Sequence, residues 1–226
     1  HLEDDFSDID LNFLLEDTRS ADPFYRAVES ALHAISPVVA THRQPPGRYF
    51  KLQDGGDFLL IDVCIFQTQE LAECLDVERH EQLQPLFDKA QWLHHPPRVD
   101  TPQAVKMARR FQEHQEWFSI SQNFVRKAIL RGQPIESLAA YWAYTLRPLV
   151  ELLRMQYCSA RWDFGMRYLE RDLPSSAYEQ LHPLMFVAEA DDLAERLAQS
   201  IAWAQQLILQ LERTLGSATN EDEPTP

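Results

Sequence analysis

The sequence predicts an α+β chain, a sheet-containing part over residues 1–95 followed by a helical bundle over residues 96–215, with a polar disordered tail at 216–226. Three observations carry this expectation. Before residue 95, short apolar runs rich in β-branched and aromatic residues alternate with turn signals. At His94-His95-Pro96-Pro97 the paired prolines cannot continue a helix and read as a linker. Beyond them, apolar residues recur near multiples of 3.6 over three long stretches.

Taken in order, Phe6 to Leu15 reads as a strand. Asp22 and Pro23 open a helix, with proline at the first helical position. Phe24, Val28, Leu32 and Ile35 form its apolar face, and it should stop before Pro37. Val38 to His42 and Tyr49 to Gln53 are short strands around the turn Pro45-Pro46-Gly47. The turn Asp54-Gly55-Gly56-Asp57 leads into Phe58 to Phe66, the most apolar strand. The helical part follows as Gln103 to Leu130, Ile135 to Tyr157 and Ala190 to Leu215. Their core faces are read as Met107, Phe111, Phe118, Val125 and Ile129, then Leu138, Trp142, Leu146, Leu149 and Leu153, then Leu193, Leu197, Ile201, Ile208 and Leu211. Glu113, His114 and Glu116 fall on the exposed side of the first of these helices in this reading, without a role.

A net charge of −14 gives no basic nucleic-acid footprint at the level of the whole chain, and it would attract cationic acceptors and divalent metals. No apolar run reaches the ~20 residues that span a bilayer. Cys64, Cys74 and Cys158 lack a C-x-x-C spacing and read as reduced thiols, which suits a cytoplasmic protein.

Two features point to chemistry. In Ser7-Asp8-Ile9-Asp10-Leu11, a strand would place both carboxylates on one face, ~6–7 Å apart, where they can share divalent cations. Asp62 sits inside FLLIDVCIF with only apolar neighbours, where an unpaired charge is costly. If the two strands are adjacent, three carboxylates converge. Two magnesium ions held there could orient a triphosphate for in-line displacement at the α-phosphorus.

These residues resemble the nucleotidyltransferase superfamily to which aminoglycoside and lincosamide adenylyltransferases belong. Its pattern is a Gly-Ser helix start, a loop, an S-D-x-D strand and a later carboxylate in an apolar strand. Glu3 to Leu11 looks like the loop and strand, and Leu60-Ile61-Asp62-Val63 like the later strand, so the likeness covers residues 1–66. It implies a nucleotidyltransferase-like mixed sheet truncated at its N-terminus, because the Gly-Ser pair would precede His1 and the chain then reads as a fragment. It also implies Asp8, Asp10 and Asp62 as metal ligands, with Asp62 alternatively accepting the acceptor's hydroxyl proton. ATP or another nucleoside triphosphate would be the substrate, and a small hydroxylated acceptor the partner.

Arg161 to Pro174 concentrates arginines and aromatics in an acidic chain. Arg161 and Arg167 are candidate phosphate ligands, with Trp162 or Tyr168 flanking a ring; the rival reading is a helix surface paired to Asp163, Glu170 and Asp172. Lys51 and Arg48 are further phosphate candidates. Besides transfer to a small acceptor, a protein-modifying or antitoxin-type nucleotidyltransferase and an inactive nucleotide-binding scaffold share the carboxylate pattern; the long helical part counts against the antitoxin class.

Overall fold

The computed structural model describes residues 6–15, 21–45, 47–66, 76, 79, 84–89, 91 and 103–218. The His94–Pro97 linker, Cys74 and residues 219–226 of the tail lie outside the described residues. The chain forms two compact units, His1–Asp100 and Thr101–Pro226. The fold class is α+β, as the sequence predicts: a four-stranded mixed sheet in the first unit and helices in the second.

In the sheet unit the elements are β1 (Ile9–Leu14), α1 (Ala21–His33), β2 (Val38–Gln44), β3 (Gly47–Leu52) and β4 (Ile61–Phe66). The strand order is β1-β4-β3-β2, with β1 parallel to β4 and the other two pairings antiparallel. Strand alternation explains the anomaly at Asp62. Ile61, Val63 and Ile65 are buried with Phe50 and Leu52 against Tyr25 and Leu32 of α1, while Asp62, Cys64 and Phe66 take the opposite face. Phe13 meets Phe24 edge to face at 4.7 Å, and Arg48 lies 4.7 Å above the Tyr25 ring, closing the covered side. Ile35, expected in the helix face, lies beyond α1 and is 77% exposed.

The helical unit runs α2 (Gln103–Leu130), α3 (Pro134–Tyr141), a π turn (Trp142–Leu146), α4 (Arg147–Tyr157), a 3-10 turn (Ser159–Arg161), α5 (Leu169–Asp172), α6 (Ser175–Met185) and α7 (Ala190–Ala218). Thus α7 extends through Gly216 to Ala218, past the Leu215 at which the apolar pattern ends. Among the described residues no helix is long and apolar enough to cross a membrane.

The π turn changes which residues are inside. Pro148 has no N–H to give the Tyr144 carbonyl, one turn back. The side chain of Gln122 donates to that carbonyl instead, at 2.8 Å, and its own carbonyl accepts the Thr145 hydroxyl at 2.6 Å. The wider turn adds a residue and rotates α3 against α4. Ser137, Tyr141 and Thr145 therefore face the core, whereas the predicted core residues Leu138 and Trp142 are 37% and 38% exposed. Leu146, Leu149 and Leu153, C-terminal to the shift, are buried as predicted.

Candidate active site

The face of the sheet opposite α1 carries the polar residues. Pairing sets Asp10 of β1 against Asp62 of β4, Asp62 against Tyr49 of β3, and Tyr49 against His42 of β2. A single row, Asp10–Asp62–Tyr49–His42, thus crosses all four strands, at ~4.8 Å per step. The next row holds Asn12, Cys64, Gly47 and Gln44. Neighbouring carboxylates on one face repel, and a cation between them relieves that repulsion.

Asp62 sits half-buried on the central strand β4. Tyr49 lies opposite it on β3, and burial first, then this negative neighbour, pushes the Tyr49 phenol above its ordinary value. The Cys64 thiol donates to Asp62 Oδ1 at 3.6 Å. Gly47 is the residue that this crowding requires. A Cβ there would lie 2.7 Å from Cys64 Sγ and 2.9 Å from Asp62 Oδ1, closer than packed atoms allow.

Asp8 lies just ahead of β1. β1 begins at Ile9 rather than Phe6, and β4 at Ile61 rather than Phe58, so Asp8 precedes the paired region. Its Oδ1 accepts the Leu60 backbone N–H at 3.0 Å, fastening the strand starts together. Among the described residues no three His, Cys, Asp or Glu side chains are grouped to hold a metal ion. The strand register places Asp10 directly opposite Asp62. Two carboxylates with hard oxygen donors still fit magnesium, which commonly takes one or two protein carboxylates and completes its shell with water and phosphate.

Lys51, Arg161 and Arg167 each have partners within their own unit. Lys51 Nζ donates to the carbonyls of Gly56 and Asp57, at 2.8 and 2.6 Å, and so ties the turn between β3 and β4. In the helical unit, Arg161 Nη2 pairs with Asp172 Oδ1 at 2.8 Å, and its Nε is buried without a partner. The Arg167 guanidinium lies 5.4 Å from the ring centroids of both Phe164 and Tyr168. The organiser of this segment is Arg154, which the sequence reading passed over. It is fully buried, and it donates to Asp172 Oδ2 at 2.8 Å, to the Gly165 carbonyl at 2.8 Å, to the Arg161 carbonyl at 3.2 Å and to the Arg167 carbonyl. The rival reading of ion pairing is thus realised for Arg161, although with Asp172 in the interior rather than on a helix surface.

His114 also corrects its expectation of exposure. It is 4% exposed, and its Nε2 lies 2.9 Å from Glu151 Oε2, which also accepts Arg110 Nε at 2.6 Å. The signal was available: His114 falls three residues after Phe111 and four before Phe118, on the buried stripe. Burial alone would raise the Glu151 carboxyl; hydrogen bonds from His114 and Arg110 outweigh it and hold the group at about 2.

No protein-family model matches the sequence, and no curated protein matches it. Among solved structures the chain is similar to an aminoglycoside 6-adenyltransferase from Bacillus subtilis, at 10% identity and a TM-score of 0.40, with 92% of this chain and 81% of that chain covered.

Proposed function

We propose that this chain is a nucleotidyltransferase that moves AMP from ATP to the hydroxyl of a small acceptor. The observation that carries this reading is the placement of Asp10 directly opposite Asp62 on adjacent parallel strands, on the face that α1 leaves uncovered. The S-D-x-D pattern of Ser7 to Asp10, with a later carboxylate in an apolar strand, points the same way.

In this reading Asp10 and Asp62 hold magnesium, which when bound neutralises charge on the triphosphate and orients it. The acceptor oxygen forms its bond to the α-phosphorus while the bond from that phosphorus to the bridging oxygen of pyrophosphate breaks. Asp62 takes the hydroxyl proton, and pyrophosphate leaves with the bond electrons. Asp8 fixes the start of β1 and so the position of Asp10. The acidic chain, with net charge −14, favours a cationic acceptor.

The test is transfer of label from ATP carrying it at the α-phosphate, in magnesium, to a panel of hydroxylated amines. Labelled acceptor and equimolar pyrophosphate are expected, with Asp10→Asn and Asp62→Asn each reducing transfer by roughly 10²–10³. Transfer undiminished in both variants would place the chemistry elsewhere.

A further inference from the structure

We propose that the helical unit carries a binding site for a small aromatic monocarboxylate, in a cavity lined by Trp142 and Arg147 of the π turn and its end. The cavity measures about 480 Å³, and Ala143, Val150, Gly165 and Met166 also line it. That volume falls within the ~300–1,000 Å³ typical of small-molecule sites. It belongs to the helical unit alone, so the inference uses none of the carboxylates of the sheet.

The π turn brings the two recognition groups together. On a regular α-helix, residues five apart point about 140° apart, and Trp142 and Arg147 would face different ways. Here the Arg147 backbone N–H donates to the Trp142 carbonyl, the i→i+5 bond of a π turn. The extra residue narrows that angle, and both side chains line one cavity. Ala143, beside Trp142, contributes only a methyl group and leaves the space open. The Trp142 ring and the Met166 thioether, both partly exposed, suit contact with an aromatic ring. Gly165 is held in place by Arg154, whose Nε donates to its carbonyl at 2.8 Å, so this wall needs no ordering when a ligand enters.

Arg147 has donors to spare. Its Nε reaches Glu151 Oε1 only at 3.4 Å, whereas Arg110 Nε and His114 Nε2 hold Oε2 at 2.6 and 2.9 Å. Among the described residues no acceptor takes the two Nη groups of Arg147, and its side chain is 71% exposed. Around this carboxylate three arginines, Arg109, Arg110 and Arg147, meet two acids, Glu113 and Glu151. One positive charge is left over, inside a chain of net charge −14. A single surplus charge on a planar fork matches a carboxylate, which it can hold through two parallel N–H···O bonds.

The probe is 2-naphthoate, titrated calorimetrically into the full chain, with 2-naphthamide as its uncharged counterpart. Saturable binding of naphthoate is expected, with naphthamide weaker by about tenfold or more. Arg147→Gln should weaken naphthoate about tenfold and leave naphthamide unchanged, a pattern that loss of folding would not give. Ala143→Phe fills the cavity from an exposed helix position and should abolish binding of both with little change in melting temperature. Equal affinity for the two probes, or naphthoate binding unchanged in Arg147→Gln, overturns the carboxylate assignment. Binding undiminished in a folded Ala143→Phe chain, or none to the wild-type chain at millimolar naphthoate, overturns the site.

Discussion

Asp62 in the sheet unit and Asp172 in the helical unit are both carboxylates set beside buried leucine, isoleucine or valine, yet the two units treat them in opposite ways. Asp172 has a fully buried side chain that meets Arg154, Arg161 and Arg171 at 2.8, 2.8 and 3.2 Å. Asp62 is half-buried on the face opposite α1 and, among the described residues, accepts from the Cys64 thiol rather than from an opposite charge. The physical difference lies in the layers. Helices in the second unit pack around one another, so a polar group turned inward must be paired. A single sheet covered on one side by α1 has a second face on which carboxylates keep access to water and ions. The buried Asp172 is therefore paired inside its own unit, while Asp10 and Asp62 lie on the sheet face opposite α1.

The largest expected effect sharpens that contrast. Asp172→Asn leaves buried arginines uncompensated and should destabilise the chain by about 3–5 kcal/mol. Asp62→Asn, on the open face, should cost under ~1 kcal/mol. Denaturant midpoints for both variants decide the matter; equal losses would erase the distinction between the two units.

Next in size is the acid limb of stability. Glu151 has a folded value of about 2 against an ordinary value of 4.5. Because the folded value is depressed, the stabilisation is fully present above pH 4.5 and is lost as pH falls toward 2. It amounts to ~3 kcal/mol. Urea unfolding at stepped pH should show this loss in the wild-type chain and a flatter profile in Glu151→Gln. The same slope in both would remove Glu151 from the account.

A further contrast concerns the π turn. Leu149→Ala in the core should cost about 2–5 kcal/mol, whereas Leu138→Ala, ahead of the turn, should cost under ~1 kcal/mol. Thermal unfolding of the two variants measures the phase shift directly. Comparable costs would mean that α3 faces the core through Leu138 after all.

Much of this was legible in the sequence because the relevant physics is local. Alternation along FLLIDVCIF fixed Ile61, Val63 and Ile65 to one face and Asp62 to the other. The spacing of Met107, Phe111, Phe118 and Val125 marked the buried stripe of α2, and the same spacing included His114. The pairing of β1 with β4 was anticipated only as a condition on the carboxylates, since strand order is a long-range choice that no local spacing encodes.

What the amino-acid order determined by itself was the α+β class, the helix starts and the anomaly of Asp62. Periodicity and proline placement act within a few residues and need no partner. What only the tertiary structure decided was where polar groups find their partners. Asp8 goes to the Leu60 N–H, Lys51 to two turn carbonyls, and Arg154 to Asp172, Gly165, Arg161 and Arg167. Tyr49 becomes a neighbour of Asp62 in the same way. A buried hydrogen-bonding group takes whichever partner the packed chain brings within about 3 Å, and that distance is set by segments far apart in sequence.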